Sequence, residues 1–280
     1  MTVADNRPIG LFDSGVGGLT VLNAARQALP GENLIYLGDT ARVPYGTKSP
    51  LSITRYAEQA LKALLRYDIK ALVVACNTAS AVALDALQSS YPELQIIGVI
   101  EPGAQAAVNM TRSGKIGVIA TESTVNNQAY QKAILSLLPD ANVKSAACSL
   151  FVALAEEGWH DGELVEAIVK RSLSGLFDHY RGGAEYPDTL VLGCTHFPAL
   201  KLAISRVVGD KVSLVDSAVT TAAVMKKQLT ERGLLNPGST GYVRFLVTDG
   251  PERFARVAPL FYSEAVEPDQ VELIDIQHFA

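Results

Sequence analysis

The stretch Leu72–Ser80, LVVACNTAS, decides how this chain folds. An unbroken apolar run ends at Cys76 and the chain turns polar at Asn77-Thr78 before an Ala-rich segment. A short run with no polar alternation reads as a strand covered on both faces, as in a parallel sheet. The polar residues after it read as the start of a helix. Much later the chain repeats the pattern at Leu190–Pro198, LVLGCTHFP, where Cys194 ends the run and Thr195-His196 follow. Two of the three cysteines therefore stand at strand-to-helix junctions.

Working outward, apolar runs alternate with amphipathic ones. Strands are expected at Pro8–Phe12, Asn33–Leu37, Ala71–Ala75 and Ile96–Ile100, with helices at Gly17–Leu29, Ser52–Tyr67 and Thr78–Ser89. The series then restarts with a strand at Lys115–Ala120, a helix at Thr124–Leu138, a strand at Asn142–Ala147 and a long helix at Glu163–Tyr180. Strands at Thr189–Leu192 and Val212–Val215 flank a helix at Phe197–Val207, and Gly241–Thr248 with Pro251–Val257 adds one more strand and helix. IGLFDSG resembles IGVIATES as LVVACNTAS resembles LVLGCTHFP, with corresponding strand ends about 105 to 120 positions apart. The expected fold is α/β: two similar three-layer α/β/α domains with mostly parallel sheets, related by a pseudo-two-fold, with chance likeness as the rival because Val, Ile and Leu fill most buried strands. In open α/β sheets ligands sit beyond the carboxyl ends of the strands, so the active site is expected in the cleft between the domains.

The 280 residues are 48% hydrophobic and 19% charged, enough for proper cores and unlike a disordered or fibrous chain. With 24 basic against 29 acidic residues and no basic block, nucleic acid is not an expected partner. No apolar run is long enough to span a membrane, and MTVADNRP does not read as a signal peptide. Three cysteines without close spacing speak for a reducing compartment, so a cytoplasmic location is expected.

Several residues could carry chemistry. A thiol at a helix N-terminus is favoured as thiolate, and His196 is a candidate proton partner for Cys194. Cys148 has no matching polar run and reads as packing. Metal is not expected: Cys76, Cys194 and His196 show no compact ligand spacing, and His160, His179 and His278 stand without motif company. Asp13-Ser14 ends the first strand, and the glycines of DSGVGG let a backbone come close to a ligand or to the sheet. A dinucleotide loop is the rival there, with Asp39 after the second strand, but Thr20 stands where its last small residue belongs. Pro44-Tyr45-Gly46 is either a plain turn or a loop that closes over a small substrate. Thr121 follows its strand as Asp13 and Ser14 follow theirs, and Glu156-Glu157 ends an apolar run. Two comparable thiols, each with its own acid-base neighbour, suit moving a proton from one face of a carbon to the other. A disulfide-exchange pair would need a local CxxC, which is absent.

DSGVGG at Asp13–Gly18, DTARVPYG at Asp39–Gly46, ACNTAS at Ala75–Ser80 and GCTHFP at Gly193–Pro198 together resemble the motifs of the glutamate racemase family, in order and over essentially the whole chain. The resemblance implies an isomerase that interconverts L- and D-glutamate for peptidoglycan synthesis and cell-wall biogenesis, with neither pyridoxal phosphate nor metal. It implies that Cys76 deprotonates D-glutamate with help from Asp13, and that Cys194 deprotonates L-glutamate with help from Glu156 and His196. Substrate contacts are expected from Asp13, Ser14, Tyr45, Gly46, Asn77, Thr78, Thr195 and His196, and Pro44 and Thr121 complete the set. A homodimer and regulation by a peptidoglycan precursor are further expectations, and an aspartate racemase is the sister alternative. The family pattern implies one domain from residues 1–100 plus 215–280, with 101–214 as the second. The chain departs from many relatives at Ala147-Cys148-Ser149 and Val152-Ala153-Leu154, where two prolines are missing on the approach to Glu156.

Overall fold

Apolar runs that lie between helices have nowhere to go but a sheet covered on both faces, and this governs the computed structural model. It describes residues 5–177, 186–236 and 238–278. Strands form at β1 (Ile9–Asp13), β2 (Leu34–Gly38), β3 (Ala71–Val74), β4 (Gln95–Gly98), β5 (Lys115–Ala120), β6 (Asn142–Ala147), β7 (Thr189–Gly193), β8 (Ser213–Asp216), β9 (Val243–Val247) and β10 (Val271–Leu273). The helices are α1 (Leu19–Ala28), α2 (Pro50–Leu65), α3 (Asn77–Ser90), α4 (Ile100–Met110), α5 (Glu122–Asn127) and α6 (Ala129–Leu137). They continue with α7 (Leu150–Glu156), α8 (Glu163–Ser172), α9 (Lys201–Val208), α10 (Ser217–Glu231) and α11 (Pro251–Val257).

Among the described residues, a six-stranded sheet runs β10-β9-β2-β1-β3-β4 and a four-stranded sheet runs β6-β5-β7-β8. Every strand pairing is parallel. The core order β2-β1-β3-β4 is repeated by β6-β5-β7-β8, strand for strand, so the internal likeness in the sequence has a topological counterpart. β1, β2, β3 and β7 are buried along their whole length, which is why they carry no alternation. The edge strand β6 is half exposed and reads NVKSAA.

The sheets are not independent bodies. α10 packs on both α1 and α4, and α3 packs on α5, so helices of one half lie against helices of the other. Asp216 opens α10 by accepting from the Ala218 N–H at 2.9 Å, and Ser49 opens α2 with Pro50 in the first turn. No helix among the described residues is long and apolar enough to cross a membrane.

Several boundaries depart from expectation, the helix expected over Phe197–Val207 among them, which opens as a 3-10 turn over Phe197–Leu200 before α9. The helix expected over Thr124–Leu138 is two, α5 and α6, divided at Gln128 in the left-handed region (φ 59°). The strand expected over Ile96–Ile100 stops at Gly98, and Ile100 already belongs to α4. The long helix expected over Glu163–Tyr180 ends as α8 at Ser172, and its last residues, with His179, lie outside the described residues.

Candidate active site

β1 and β3 are neighbours whose connections leave in opposite directions, and so are β5 and β7. Such switch points leave a crevice beyond the strand ends. Asp13 and Cys76 stand at the first, Thr121 and Cys194 at the second. Both cysteines are buried, at 5% and 7% exposure.

Cys76 is the N-cap of α3, and its Sγ accepts from the Ala79 N–H at 3.4 Å. Ser14 Oγ lies 3.6 Å from the same sulfur. Burial, and after it the negative charge of Asp13, pushes the Cys76 thiol up to about 12, with Cys194 close enough to add to the rise. Asp13 itself is fully buried, and burial raises its carboxyl although the charge of His196 and nearby backbone N–H groups pull it down. Its Oδ2 accepts from the Gly15 N–H at 3.0 Å, whereas the equally buried Oδ1 has no hydrogen-bond partner. Ser14 is thus the hydrogen-bonding neighbour of Cys76, and Asp13 acts on it through charge.

The glycines of this loop have a steric reason. A Cβ on Gly17 would lie 2.5 Å from His196 Cε1, and one on Gly18 would lie 2.4 Å from Asp13 Cβ. Gly17 is therefore where the loop after β1 meets the loop after β7. Thr20 ties the two together, since its hydroxyl lies within donor reach of Gly17 O (3.0 Å) and Thr195 O (3.2 Å).

On the other side, Cys194 Sγ lies 3.8 Å from His196 Nδ1, and His196 Nε2 donates to Glu156 Oε1 at 3.0 Å. Burial alone would lower His196, but its contacts with Cys194 and Glu156 outweigh that and lift it to about 10. Burial likewise works to raise Glu156, and the positive partners His196 and Arg253 win, holding it below the ordinary carboxylate value. Arg253 reaches Glu156 Oε2 at 2.8 Å from α11. Of the two acids in the sequence, Glu156 meets the histidine, while Glu157 is exposed at the end of α7.

A wall of polar groups joins the halves. The hydroxyls of Thr78, Thr121 and Thr124 lie 2.9 to 3.3 Å from one another. Tyr130 donates to Asn77 Oδ1 at 2.7 Å, leaving the buried Asn77 Nδ2 without a partner. Gly46 comes so close to Thr121 that a Cβ would lie 2.6 Å from that residue's Cβ. Pro44 follows a cis peptide bond, and the Tyr45 ring is buried with its hydroxyl bonded to Asp39. Tyr45 thus holds the loop from beneath, Pro44 is exposed, and the Gly46 backbone is the part that meets the other half. Thr195 and His196 are buried at the contact with Gly17.

Thr124, Tyr130 and Arg253 are the site residues sequence reasoning missed. Cys148 is buried in the same core as Cys194, and burial lifts its thiol to about 12. His160 donates to the Ala155 carbonyl at 3.0 Å, and His278 is exposed beside Asp275. Among the described residues no three His, Cys, Asp or Glu side chains converge as a metal site requires.

Residues 19–225 match the family model described as Asp/Glu/Hydantoin racemase. The chain is 52% identical over 256 residues to the glutamate racemase of Geobacter metallireducens, covering 91% of this chain and 92% of that one. It superposes on the glutamate racemase of Francisella tularensis, solved in complex with D-glutamate, with a TM-score of 0.89 at 38% identity, covering 98% and 99% of the two chains. The Escherichia coli glutamate racemase, solved with L-glutamate and the activator UDP-MurNAc-ala, matches at TM-score 0.76 and 31% identity, over 96% of this chain and 98% of that one. With a doubled strand order, a cysteine at the same point of each copy and these relatives along nearly its whole length, the chain belongs to the glutamate racemase family.

Proposed function

We propose that this chain is an amino-acid racemase that interconverts L- and D-glutamate by proton transfer at the α-carbon, with Cys76 serving one face and Cys194 the other. The observation that carries the reading is the pair of buried thiols at equivalent ends of β3 and β7. Each has its own polar set: Ser14 and Asp13 beside Cys76, His196 and Glu156 beside Cys194.

Removing the α-proton leaves a carbanion beside a carboxylate, so the site must stabilise developing charge without an electron sink. Hydrogen-bond donors held in a water-excluded site do this best. Asn77 Nδ2 is a buried donor without a partner, and Asp13 Oδ1 a buried acceptor without one. They match the α-carboxylate and the α-ammonium of an amino acid respectively, and Thr78 and Thr195 supply further donors for the carboxylate. His196, held positive beside Cys194, offers Nδ1–H toward that sulfur, while Cys76, raised to about 12, starts as the thiol. Cys194 then takes the proton of L-glutamate and Cys76 delivers one from the opposite face. The reverse turnover exchanges their roles. No step calls for a cofactor.

The D-glutamate formed would serve peptidoglycan synthesis, and an uridine-linked precursor like the activator of the E. coli relative is the regulator to test. We also assign residues 1–100 with 215–280 to one domain and 101–214 to the other, and a homodimer as the working assembly.

The test replaces each thiol. Cys76→Ala and Cys194→Ala should each lower racemisation about 100- to 10,000-fold, the usual cost of losing a general acid or base. In heavy water Cys194→Ala should exchange the α-proton of D-glutamate without inverting it, and Cys76→Ala that of L-glutamate. Cys148→Ala should keep near wild-type activity. Inversion at close to the wild-type rate by either active-site variant would end the two-thiol reading, and preferential turnover of aspartate would move the chain to the sister activity.

A further inference from the structure

Glu156 is a hub with both carboxylate oxygens engaged. Oε1 accepts from His196 and Oε2 from Arg253, so the group cannot turn without breaking one of them. The two partners come from different places: His196 follows β7 in the four-stranded sheet, and Arg253 sits on α11, between β9 and β10 of the six-stranded one. The Arg253–Glu156 pair therefore crosses between the halves.

The local structure of α11 makes Arg253 unusual. Gly250 takes a left-handed φ of 57°, which turns the chain into Pro251 and places Arg253 in the first turn. A cation there opposes the helix dipole rather than complementing it. Its position is accounted for by the carboxylate 2.8 Å away on the other half. Beside the pair a cavity of about 100 Å³ opens, lined by Gly15, Val16, Glu156, Gly250, Arg253 and Phe254. The Arg253 side chain is 56% exposed at this mouth, and Glu156 is 15% exposed beneath it.

We propose that Arg253 is a positioning residue for the Cys194 side of the site: its guanidinium holds the Glu156 carboxylate against His196 and so keeps His196 aligned on Cys194. It touches neither thiol. Its effect is confined to proton transfer at Cys194, which rests on the reaction proposed above.

L- and D-glutamate have equal free energy in solution, so kcat/KM must fall by the same factor in both directions whatever the variant. The face affected shows instead in the isotope effects. If transfer at Cys194 slows, the primary deuterium isotope effect on kcat/KM rises for L-glutamate deuterated at the α-carbon. For D-glutamate so labelled it falls, because the hydron removed at the Cys76 face returns before the slow step. A half-exposed charge pair is discounted for screening, so Arg253→Met should lower kcat/KM about 10-fold. Arg253→Lys, which keeps the charge but not the fork, should fall between that and wild type and gives the same readout should the methionine variant fold poorly. Added guanidinium ion should restore part of the activity of Arg253→Ala by entering the mouth. An Arg253→Met enzyme equal to wild type, or slowed with both isotope effects unmoved, overturns the role of Arg253 while glutamate racemisation by wild type leaves the proposed function standing. A wild-type chain inert toward glutamate overturns the proposed function and the role of Arg253 with it.

Discussion

A single methyl group placed on Gly17 tests how tightly the two loops must meet. Gly17 has no left-handed φ, so Gly17→Ala adds no backbone strain and its effect is contact alone. The new Cβ would lie 2.5 Å from His196 Cε1 and Nδ1 and 2.6 Å from Thr195 Oγ1. Ordinary contact begins near 3.4 Å, so the ring must retreat by about 0.9 Å, the difference between 3.4 and 2.5. His196 has little room to do so, being bonded to Glu156 at 3.0 Å and packed edge-on against Phe261 at 5.4 Å between centroids. A shift of that size along the bond would stretch the Glu156 contact to about 3.9 Å, beyond hydrogen-bond range. Misplacing a catalytic group by about 1 Å can cost about 100-fold in rate, and overpacking a tight contact costs about 1–3 kcal/mol. Glutamate racemisation by Gly17→Ala should therefore fall about 100-fold, with a melting temperature lower by about 2–4 °C per kcal/mol. Gly15→Ala is the control, because the atoms nearest its Cβ would be those of Val43 at 3.7 Å, an ordinary contact. Polarimetry and thermal melts of both variants decide the matter. A Gly17→Ala enzyme with wild-type rate and melting temperature, or a Gly15→Ala enzyme equally damaged, would refute the reasoning.

Two further outcomes follow from the His196 side. Glu156→Gln should lower kcat/KM about 10-fold, as loss of a charged hydrogen bond does, while Glu157→Gln stays within about twofold because exposed charges contribute little; equal small losses would leave His196 as the sole partner of Cys194. The raised His196 also sets a pH window: contacts with Cys194 and Glu156 outweigh burial and lift it from 6.5 to about 10, so its stabilising contribution is complete below 6.5 and lost as pH rises through about 10. The gap in melting temperature between the protein and His196→Asn should be constant from the pH where Glu156 is ionised up to 6.5 and shrink from there through about 10, and a gap that widens with pH across that window would contradict the assignment.

The strands that carry the site were legible because burial on both faces leaves an unbroken apolar run, and β5 and β6 lie at their expected limits. What defeated the reading was local chemistry overruled by position. The segment after Ile100 drew no expectation, yet Glu101-Pro102-Gly103 is the first turn of α4, where a proline's missing N–H would have no helical partner. Gly103 fits because Tyr130 approaches to 3.0 Å of where its Cβ would be. Gln128 breaks the expected helix over Thr124–Leu138 with no glycine or proline to announce it. The cysteines, Asp13, Asn77 and His196 were readable because each stands at a strand end beside another polar residue. Thr124 and Tyr130 were not, since a threonine and a tyrosine in a helical pattern look like any others until Thr121 and Asn77 are found against them. Arg253 left no local signal at all, its partner being 97 residues away.

The doubled strand order also explains why the two half-sites need not be alike. Duplicate topology puts a thiol at the end of β3 and of β7, so the equivalent placement of the two thiols is a property of the backbone. The surroundings then diverge: Cys76 faces a hydroxyl and a buried carboxyl, Cys194 an imidazole backed by Glu156 and Arg253. For interconverting enantiomers this asymmetry has no thermodynamic consequence, because the ratio of kcat/KM values is fixed by the substrates. It sets instead the surroundings in which each sulfur waits. Burial lifts the Cys76 thiol to about 12, and its contacts lift His196 to about 10, so Cys76 waits as the thiol and His196 as a donor beside Cys194. Under the proposed reaction, turnover of D-glutamate must first take the proton off Cys76. With kcat/KM tied between the two enantiomers, a change in one half that alters kcat for one enantiomer alone must alter its KM in proportion.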